Sequence, residues 1–597
     1  MIEDIYEPLE RYDREFREAF SQNTSNAFEK LVSLSGIDVA ANKSLCSKIH
    51  ALESDKAGHE HRRSMFMTGI IIAWILCIAG VALAGYLLFG MEADDRPENY
   101  QLLVGGGAGI AGIMLFLLFT WLYPAHKEAD KNVKELHEKI EEQKRTAWMQ
   151  MASLNRLYDW DISTNLFEQT VPRVAFDSYF HVGRLRELTN EFGWDDSFNE
   201  DKSVLYALSG EINGNPFVFG EFREMEWGKH TYEGTLDISW TERVRDSDGK
   251  THTVVRHETL HAYVTKPKPM YFNVGGVILG NDAAPSLCFS RQPSSLSNAS
   301  DGMFTKLKKK HEMGKLKKLS QNLDDESQYT LMNNHDFELL FHSTDRTDEV
   351  QFRLLFTPLA QRQMLALLKD NKIGYGDDFS IFKQNRITMV FPKHLDEETM
   401  NTNPDRFVDW DLERARANFQ SVNENFFKST FFSLAPLLSI PLYQQTRTRR
   451  NIYGEPADQR ASFWEYEAIA NFHGDGKFKE ASCITDNILK TRFLNEHDGM
   501  AEIAVTAHGF RGIEHTEYVS VHGGDGKYHD VPVRWIEYLP VERTSCMVVS
   551  EQQKAITRND YNQESGKADW RDRLRKYGCP DTENPIFRRD VISFVRG

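Results

Sequence analysis

Residues 65–90 read MFMTGIIIAWILCIAGVALAGYLLFG, and residues 102–123 read LLVGGGAGIAGIMLFLLFTWLY. Neither stretch contains a charged residue. At about 1.5 Å per residue, a helix of either length crosses the roughly 30 Å hydrocarbon layer of a bilayer. The residues between them, 91–101, are too few to fold by themselves. The sequence therefore predicts a transmembrane hairpin at 65–123, with spans 65–90 and 102–123 and a short outside loop.

Positive charge lies on the outer flanks of this hairpin, and the loop between the spans is acidic with one arginine. The flanking cations are Lys56, Arg62, Arg63, Lys127, Lys131 and Lys134. Because cytoplasmic flanks are rich in lysine and arginine, both termini are expected on the cytoplasmic side. The N-terminal residues are acidic and lack an apolar core, so we expect no cleavable signal peptide.

Small residues recur at four-residue spacing within the spans, which lets helix backbones approach closely. They are Gly80 and Ala84 in the first span and Gly105, Ala108, Gly109 and Gly112 in the second. Two interpretations stay open: packing within one hairpin, and assembly of hairpins into a homo-oligomer. Neither span carries a charged residue, so an ion pathway has no chemical support.

Chain length, net charge and cysteine spacing narrow the classes of function that this protein can have. A chain of 597 residues is expected to form several structural units. Its formal net charge of −17 argues against nucleic acid as a partner, because binding to phosphates requires a basic surface. The six cysteines are far apart and lack a CxxC pair, which favours reduced thiols in the cytosol.

We predict an α+β membrane protein with an N-terminal helical region, a two-helix transmembrane hairpin, a stalk helix and a large cytoplasmic α+β region with antiparallel sheets. The predicted parts are an amphipathic helical segment (1–62), the hairpin (65–123), a stalk or coiled-coil helix (124–160), a β-rich module (161–290), a linker with a basic segment (291–330), an α/β unit (331–395), a helical and apolar segment (396–455) and a C-terminal β-rich module (456–597).

Residue patterns support these boundaries. Ile5, Leu9, Tyr12, Phe16 and Phe20 recur at three- and four-residue steps, which is typical of an amphipathic helix. Strand-like alternation is seen over 216–222, 232–240 and 251–265, with a turn at 248–249. The apolar stretch 431–443 is too short to span a bilayer, so we expect it to be buried or interfacial.

The pair Thr357-Pro358 predicts a helix start, with the helix ending near Asp370 and a strand pair turning near Gln384-Asn385. The stretch HDFELLFHSTDRTDEVQFRLLFTPLAQRQMLALLKD at 335–370, followed by DDFSIFKQNRITMVF at 377–391, resembles a bacterial family of two-span membrane proteins, domain of unknown function 3137. The match to its "RxxLTP" element is carried by Arg353, Leu355, Thr357 and Pro358, with Phe356 inserted. The resemblance implies a bacterial cell membrane and a cytoplasmic domain, and it supplies no activity or catalytic residue.

One string matches a zinc-peptidase motif: His257-Glu258-Thr-Leu-His261. Two histidines four residues apart can share a zinc ion on a helix, where they lie about 6 Å apart along the axis. The alternating neighbours indicate a strand instead, in which the two side chains stand about 13 Å apart. We therefore predict no metal, no cofactor and no catalytic residue, with a zinc hydrolase using His257, Glu258 and His261 as an alternative. The histidines at 508, 515, 522 and 529 are expected on strand surfaces.

A basic segment at 306–318 holds seven lysines in an otherwise acidic chain. They are Lys306, Lys308, Lys309, Lys310, Lys315, Lys317 and Lys318. Contact with anionic lipid head groups is one interpretation, and a solvated face or contact with the protein's own acidic surface is the other.

A weak internal sequence similarity links the two β-rich modules. DGKTHTVVR at 248–256 aligns with DGKYHDVPVR at 525–534 with one gap, which suggests a duplicated β-module. This hypothesis requires the same strand order in both modules.

The function predicted from these patterns is a membrane-anchored cytoplasmic binding, scaffold or sensor protein of the bacterial inner membrane, acting with an unknown protein partner. The zinc hydrolase and an oligomeric membrane-perturbing effector are the alternatives.

Overall fold

The computed structural model describes residues 5–90, 100–245, 250–297, 302–321, 329–396, 400–447, 458–497, 499–551, 575, 579, 585–589 and 591–596. The chain forms two compact units. We call residues 27–158 with 405–419 the hairpin unit, and residues 1–26, 159–404 and 420–597 the sheet unit. The turn predicted at 248–249 lies outside the described residues.

The helices are α1 Pro8–Arg11, α2 Arg17–Ser35, α3 Val39–Gly85, α4 Tyr100–Leu117, α5 Tyr123–Asn155, α6 Ile162–Thr170, α7 Val182–Arg186, α8 Met303–Gln321, α9 His335–Phe341, α10 Glu349–Leu355, α11 Pro358–Lys369, α12 Leu412–Leu438 and α13 Phe463–His473. The strands are β1 Val174–Phe176, β2 Lys202–Ile212, β3 Asn215–Arg245, β4 Thr251–Gly280, β5 Cys288–Arg291, β6 Phe379–Gln384, β7 Ile387–Pro392, β8 Ile488–His497, β9 Met500–His522, β10 Tyr528–Glu551, β11 Ile586–Arg588 and β12 Val591–Arg596.

The hairpin unit contains two helical stretches long and apolar enough to cross a membrane. They are Val39–Leu88 and Gln101–Asn155, and only 28% and 17% of their apolar windows are buried. The core helix of a soluble protein would be mostly buried, so this exposure argues against that interpretation. A helix of 47 residues such as α3 is about 70 Å long, which exceeds a bilayer span.

Two glycines without side chains allow the apolar parts of α3 and α4 to approach closely. A Cβ on Gly80 would lie 2.7 Å from the carbonyl oxygen of Gly107, and a Cβ on Gly107 would lie 2.8 Å from that of Gly80. Ala84 and Ala111 complete the contact. Gly80 and Ala84 thus pack against α4 of the same chain, but they meet Gly107 and Ala111 and not the small residues predicted in the second span.

Those residues, Gly105, Gly109 and Gly112, occupy another face of α4. A Cβ at any of the three would meet nothing within 4 Å. Sequence spacing alone could not separate the two faces, because glycines occur at 105, 106, 107, 109 and 112.

The predicted stalk is helical, and it packs against α3 of the same chain. Buried residues from both helices join one cluster, including Leu45, Ile49, Ile140 and Ala147. Lys144 pairs with Glu53 at 2.7 Å on the outside of this contact. The part of α3 before the apolar stretch and α5 therefore pack against each other as a pair of helices.

In the sheet unit, the N-terminal apolar residues are buried as the helical pattern predicts. Ile5, Leu9, Tyr12, Phe16 and Phe20 are each less than 10% exposed. Phe20 stacks on Phe427 of α12 at 4.1 Å between ring centroids. Residues 431–443 are buried here too, apart from the half-buried Pro441 and Leu442, which confirms burial of that apolar stretch.

The β-rich modules form two antiparallel sheets. One has the strand order β1-β2-β3-β4-β7-β6-β5, and the other has the order β11-β12-β10-β9-β8. The strands β6 and β7, predicted in a separate α/β unit, thus belong to the first sheet. Within the predicted unit 331–395, the side chain of Thr357 accepts a hydrogen bond from the Ala360 N–H, and α11 ends at Lys369, as predicted.

The two sheets repeat one topology. The series β2-β3-β4-β7-β6 has the same order in space and along the chain as β8-β9-β10-β12-β11. A two-residue turn at 213–214 joins β2 to β3, where Gly214 has φ of +83°, and Gly499, immediately before β9, has φ of +72°. A two-residue turn also joins β6 to β7 and begins at Asn385 with φ of 55°, and Arg589, immediately after β11, has φ of 52°. The strand order therefore supports the duplicated module.

A helix joins the two sheets into one core. Trp464 and Ala468 of α13 pack with Val204 and Phe222 of the first sheet. Ile469 of the same helix packs with residues of the second sheet, including Leu489, Ile503 and Val505. Burial of both faces of α13 explains why its sequence, FWEYEAIANFH, shows little amphipathic pattern.

Candidate binding surface on the paired ribbons

Two long β-hairpins extend beyond their sheets. The β3–β4 ladder continues from Phe217 opposite Leu279 to Arg245 opposite Thr251. Its neighbours stop early, because β2 pairs only as far as Glu224 and β7 only as far as Val277. We call residues 225–245 and 251–276 the first ribbon. At about 3.3 Å per residue, it extends some 70 Å.

The second sheet extends in the same way. The β9–β10 ladder reaches His522 opposite Tyr528. In contrast, β8 pairs with β9 only up to His508, and β12 pairs with β10 only from Cys546 onward. We call residues 512–522 and 528–545 the second ribbon. An isolated two-stranded ribbon is marginally stable in water, so both ribbons need a covered face.

The ribbons cover one another. A buried cluster between them contains Leu260, Ala262, Val264, Val531 and Val533. Lys266 of the first ribbon pairs with Glu517 of the second at 2.7 Å and lies 4.4 Å from the centre of the Trp535 ring. A cation over an indole face adds to the ion pair, so the ribbons are joined by apolar and polar contacts together.

Prolines protect two of the four ribbon edges. Pro267 and Pro269 lie in β4, and Pro532 and Pro540 lie in β10. Proline has no N–H, so within a ladder its nitrogen must face away from the paired strand. Each pair of prolines has an even separation and therefore faces the same outer edge. The ribbon parts of β3 and β9 contain no proline, so their outer edges retain main-chain donors.

An apolar pocket of about 380 Å³ lies at the base of the paired ribbons. Its walls are Met225, Tyr271, Ile488, His508, Gly509, Phe510, Pro540, Val541 and Glu542. Burial raises the pKa of the Tyr271 phenol, whose hydroxyl donates to Thr485 at 3.2 Å. His508 and Glu542 add a polar side, with the imidazole Nδ1 3.5 Å from the carboxylate.

Trp227 extends this apolar surface. Its ring is 53% exposed and meets Phe510 edge to face at 5.1 Å. Large indole rings with exposed edges are frequent anchors in protein interfaces. Sequence analysis missed this site, because the pocket combines five strands from two modules.

The HExxH string lies in β4, which confirms the strand prediction. His257 and His261 are opposite Ser239 and Thr235, four ladder steps apart. The Nδ1 of His261 contacts Glu233 at 2.6 Å, and this hydrogen bond lowers the pKa of Glu233.

Glu258 lies on the other face of the strand, where its carboxylate accepts from the Gly524 N–H at 2.6 Å. The string thus does not assemble a shared site. Across the described residues, no group of three or more metal-ligating side chains could hold an ion.

The histidines spaced by seven residues are distributed along the second ribbon and its base. His508 and His515 contact the carboxylates of Glu542 and Glu537 on the neighbouring strand, and His529 contacts Asp525. His522 meets the ring of Tyr528. Each contacts a different neighbour, so they form surface contacts and not one cluster.

A buried cluster in the sheet unit contains an aspartate, a histidine and a serine arranged in space like a catalytic triad. His394 lies between Asp378 and Ser433, with Nε2 3.1 Å from the Ser433 hydroxyl. The same Nε2 lies 3.1 Å from the carbonyl oxygen of Ser429, which also accepts from Ser433 at 2.8 Å. A carbonyl oxygen only accepts, so both imidazole nitrogens face acceptors. This histidine therefore fastens the turn at 393–396 to α12 and is unsuited to take the serine proton.

The basic segment forms α8, whose lysines differ in their contacts. Lys308 donates to Ser295 at 3.1 Å, and Lys315 pairs with Glu312 at 2.9 Å. Within the described part of the chain, the exposed side chains of Lys306, Lys310, Lys317 and Lys318 make no ion pair. Leu316, 3% exposed, anchors the inner side of the helix.

Comparison of the chain with protein-family models, with curated proteins and with solved structures finds no match, so membership in the family of domain 3137 stays a prediction.

Proposed function

We propose that this chain is a membrane-anchored cytoplasmic binding protein of a bacterial inner membrane, and that its paired ribbons bind an extended segment of a partner protein. The apolar helices α3 and α4 serve as the anchor, with both termini cytoplasmic. The exposure of their apolar windows and the lysines and arginines on their outer flanks support this arrangement.

The observation that carries the binding role is the apolar pocket at the ribbon base beside the exposed Trp227. Open strand edges accept an added strand through main-chain hydrogen bonds, and pockets beside them select side chains. The proline-free edges of β3 and β9 offer such hydrogen bonds. A partner segment would pair with one edge and insert an apolar side chain into the pocket.

Photo-crosslinking in cells tests this role. The residue benzoylphenylalanine replaces Trp227 in one full-length variant and Val350 of α10 in a control variant, since Val350 is 78% exposed on another element. We expect a discrete protein adduct from position 227 and none from position 350. The substitution Val541→Trp, which fills the pocket, should abolish the adduct. Equal adducts at both positions, or no adduct at 227, would contradict the proposal.

A second candidate function, an oligomeric membrane effector, is favoured by one observation. The face of α4 that carries Gly105, Gly109 and Gly112 is open, although such spacing permits close helix contact. In this function, hairpins from several chains pack through that face. Mass measurement in detergent tests it, as described in the Discussion.

A further inference from the structure

The outward face of α8 combines cations with exposed apolar side chains. At about 100° per residue, Met303, Leu307, Lys310, Lys317 and Lys318 fall within an arc of about 100°, opposite the buried Leu316. Phe304 borders this arc and is 89% exposed, while Met303 is 80% and Leu307 is 59% exposed.

Among the described residues, contact with the protein's own acidic surface does not account for this face. Only two lysines of the helix, Lys308 and Lys315, have a close polar contact among the described residues. Four others are exposed and unpaired there, although the whole chain carries a formal net charge of −17. Within the described part of the chain, these four cations have no carboxylate partner and are open to a negatively charged ligand.

We propose that α8 docks on the anionic head groups of a lipid bilayer, with its lysines at the phosphates and its N-terminal apolar residues in the interface. This inference rests on the membrane anchoring proposed above. The anchored chain always has a bilayer within reach, which favours a weak second attachment through its high local concentration.

The pattern of side chains favours lipid over an acidic protein. An acidic protein surface would satisfy the lysines but would leave Met303, Phe304 and Leu307 against a polar partner. A bilayer surface offers phosphates and an apolar interior in adjacent layers, and amphipathic helices with cationic and bulky apolar residues bind there. Each lysine near an anionic leaflet strengthens such an attachment about fivefold, so four strengthen it several hundred-fold.

The test uses the full-length chain in proteoliposomes, with the fluorescent residue dansylalanine at position 304 and doxyl-labelled lipid as the quencher. Vesicles of phosphatidylcholine are compared with vesicles containing about 30% phosphatidylglycerol, an anionic lipid. We expect quenching in the anionic vesicles alone, and its loss at high salt concentration. The same fluorophore at position 350 should remain unquenched in both.

Two sets of substitutions provide matched variants. Replacing Lys306, Lys310, Lys317 and Lys318 by glutamine should abolish the quenching, because these are the unpaired cations. The double variant Lys308→Gln/Lys315→Gln removes lysines already engaged within the protein and should retain most of it.

Quenching that is independent of phosphatidylglycerol, or that survives in the four-lysine variant, would overturn the lipid docking. A chain that enters the vesicles but shows no quenching at position 304 would overturn the docking and leave the anchor intact. A chain that fails to enter the vesicles would overturn the anchoring together with this inference.

Discussion

The carboxylate of Glu258 accepts a hydrogen bond from the backbone N–H of Gly524, at 2.6 Å, and so ties the tip of the second ribbon to the first. His257 and His261 lie on the opposite face of the same strand, because successive side chains alternate in a β-strand. The central glutamate of a motif that resembles a zinc site therefore has a structural contact between two ribbons.

Loss of this hydrogen bond should loosen the tip of the second ribbon. For Glu258→Ala we expect faster amide hydrogen exchange at residues 523–526, since an amide hydrogen bond to a partly exposed carboxylate contributes about 1 kcal/mol. Mass spectrometry of the full chain in detergent measures this exchange. His257→Ala is the matched control on the other face and should leave exchange unchanged. Equal effects of the two substitutions would contradict the assignment.

Close approach of the ribbons should make Gly234 intolerant of a side chain. A Cβ there would lie 2.2 Å from the carbonyl oxygen of Pro532, which is backbone and cannot move alone. We expect Gly234→Ala to lower the free energy of unfolding by about 1–3 kcal/mol, measured by thermal denaturation. Gly476→Ala is the control, because a Cβ there meets nothing within 4 Å. A Gly234→Ala protein as stable as the control would argue against this ribbon contact.

The two glycine faces of α4 should respond differently to a large side chain. Gly107→Ile places its side chain against Gly80 and should separate α3 from α4, which a crosslink between the helices would report. Gly109→Ile lies on the open face and should leave that crosslink intact. If the hairpins also assemble, mass measurement in detergent should show oligomers for the natural chain and monomers for Gly109→Ile. Monomers in both would exclude the effector function.

Buried His473 should make stability depend on pH. Burial lowers the pKa of His473 to about 4, with the nearby Lys477 adding to this effect, and its Nε2 lies 2.9 Å from the Ser593 hydroxyl. An unfolded histidine has a pKa of about 6.5, so between pH 6.5 and 4 the unfolded chain binds the extra proton. The contribution is therefore fully present above pH 6.5 and is lost as the pH falls, by about 3 kcal/mol in total.

Thermal unfolding at pH 7 and pH 5 measures this dependence. His473→Gln should show a smaller loss of stability on acidification than the natural chain, whereas the exposed control His497→Gln should match the natural chain. Identical losses in all three proteins would show that His473 does not titrate in this way.

The local elements were predictable because their signals lie within short windows. The Thr357 cap, the burial of Phe16 and Phe20, the apolar helices and the strand at 251–265 each follow from spacing and side-chain type. The pairing of strands that are distant in sequence could not be predicted from such short windows. Alternation indicates a strand but not its partner, so neither the ribbon contact at Lys266 nor the joining of β6 and β7 to the first sheet was expected.

The candidate pocket was missed for the same reason. Met225, Tyr271 and Phe510 come from distant parts of the sequence, and their separate patterns are those of ordinary half-buried strands. The sequence similarity between 248–256 and 525–534 was the one sequence signal that linked the two modules. It marks the starts of β4 and β10, the returning strands of corresponding hairpins, and so it indirectly indicated the ribbons.

We propose that a membrane hairpin holds the ribbon-bearing sheet unit in the cytoplasm, and labelling of cysteines introduced one at a time tests this arrangement in spheroplasts. Cysteine replaces Ala93, between the two spans, or Tyr528, which is 73% exposed at the tip of the second ribbon. A membrane-impermeant maleimide should label position 93 in intact spheroplasts above the level of the unmodified chain, and it should label position 528 only after lysis. Labelling of position 528 in intact spheroplasts, or recovery of the chain in the soluble fraction, would rule out this arrangement.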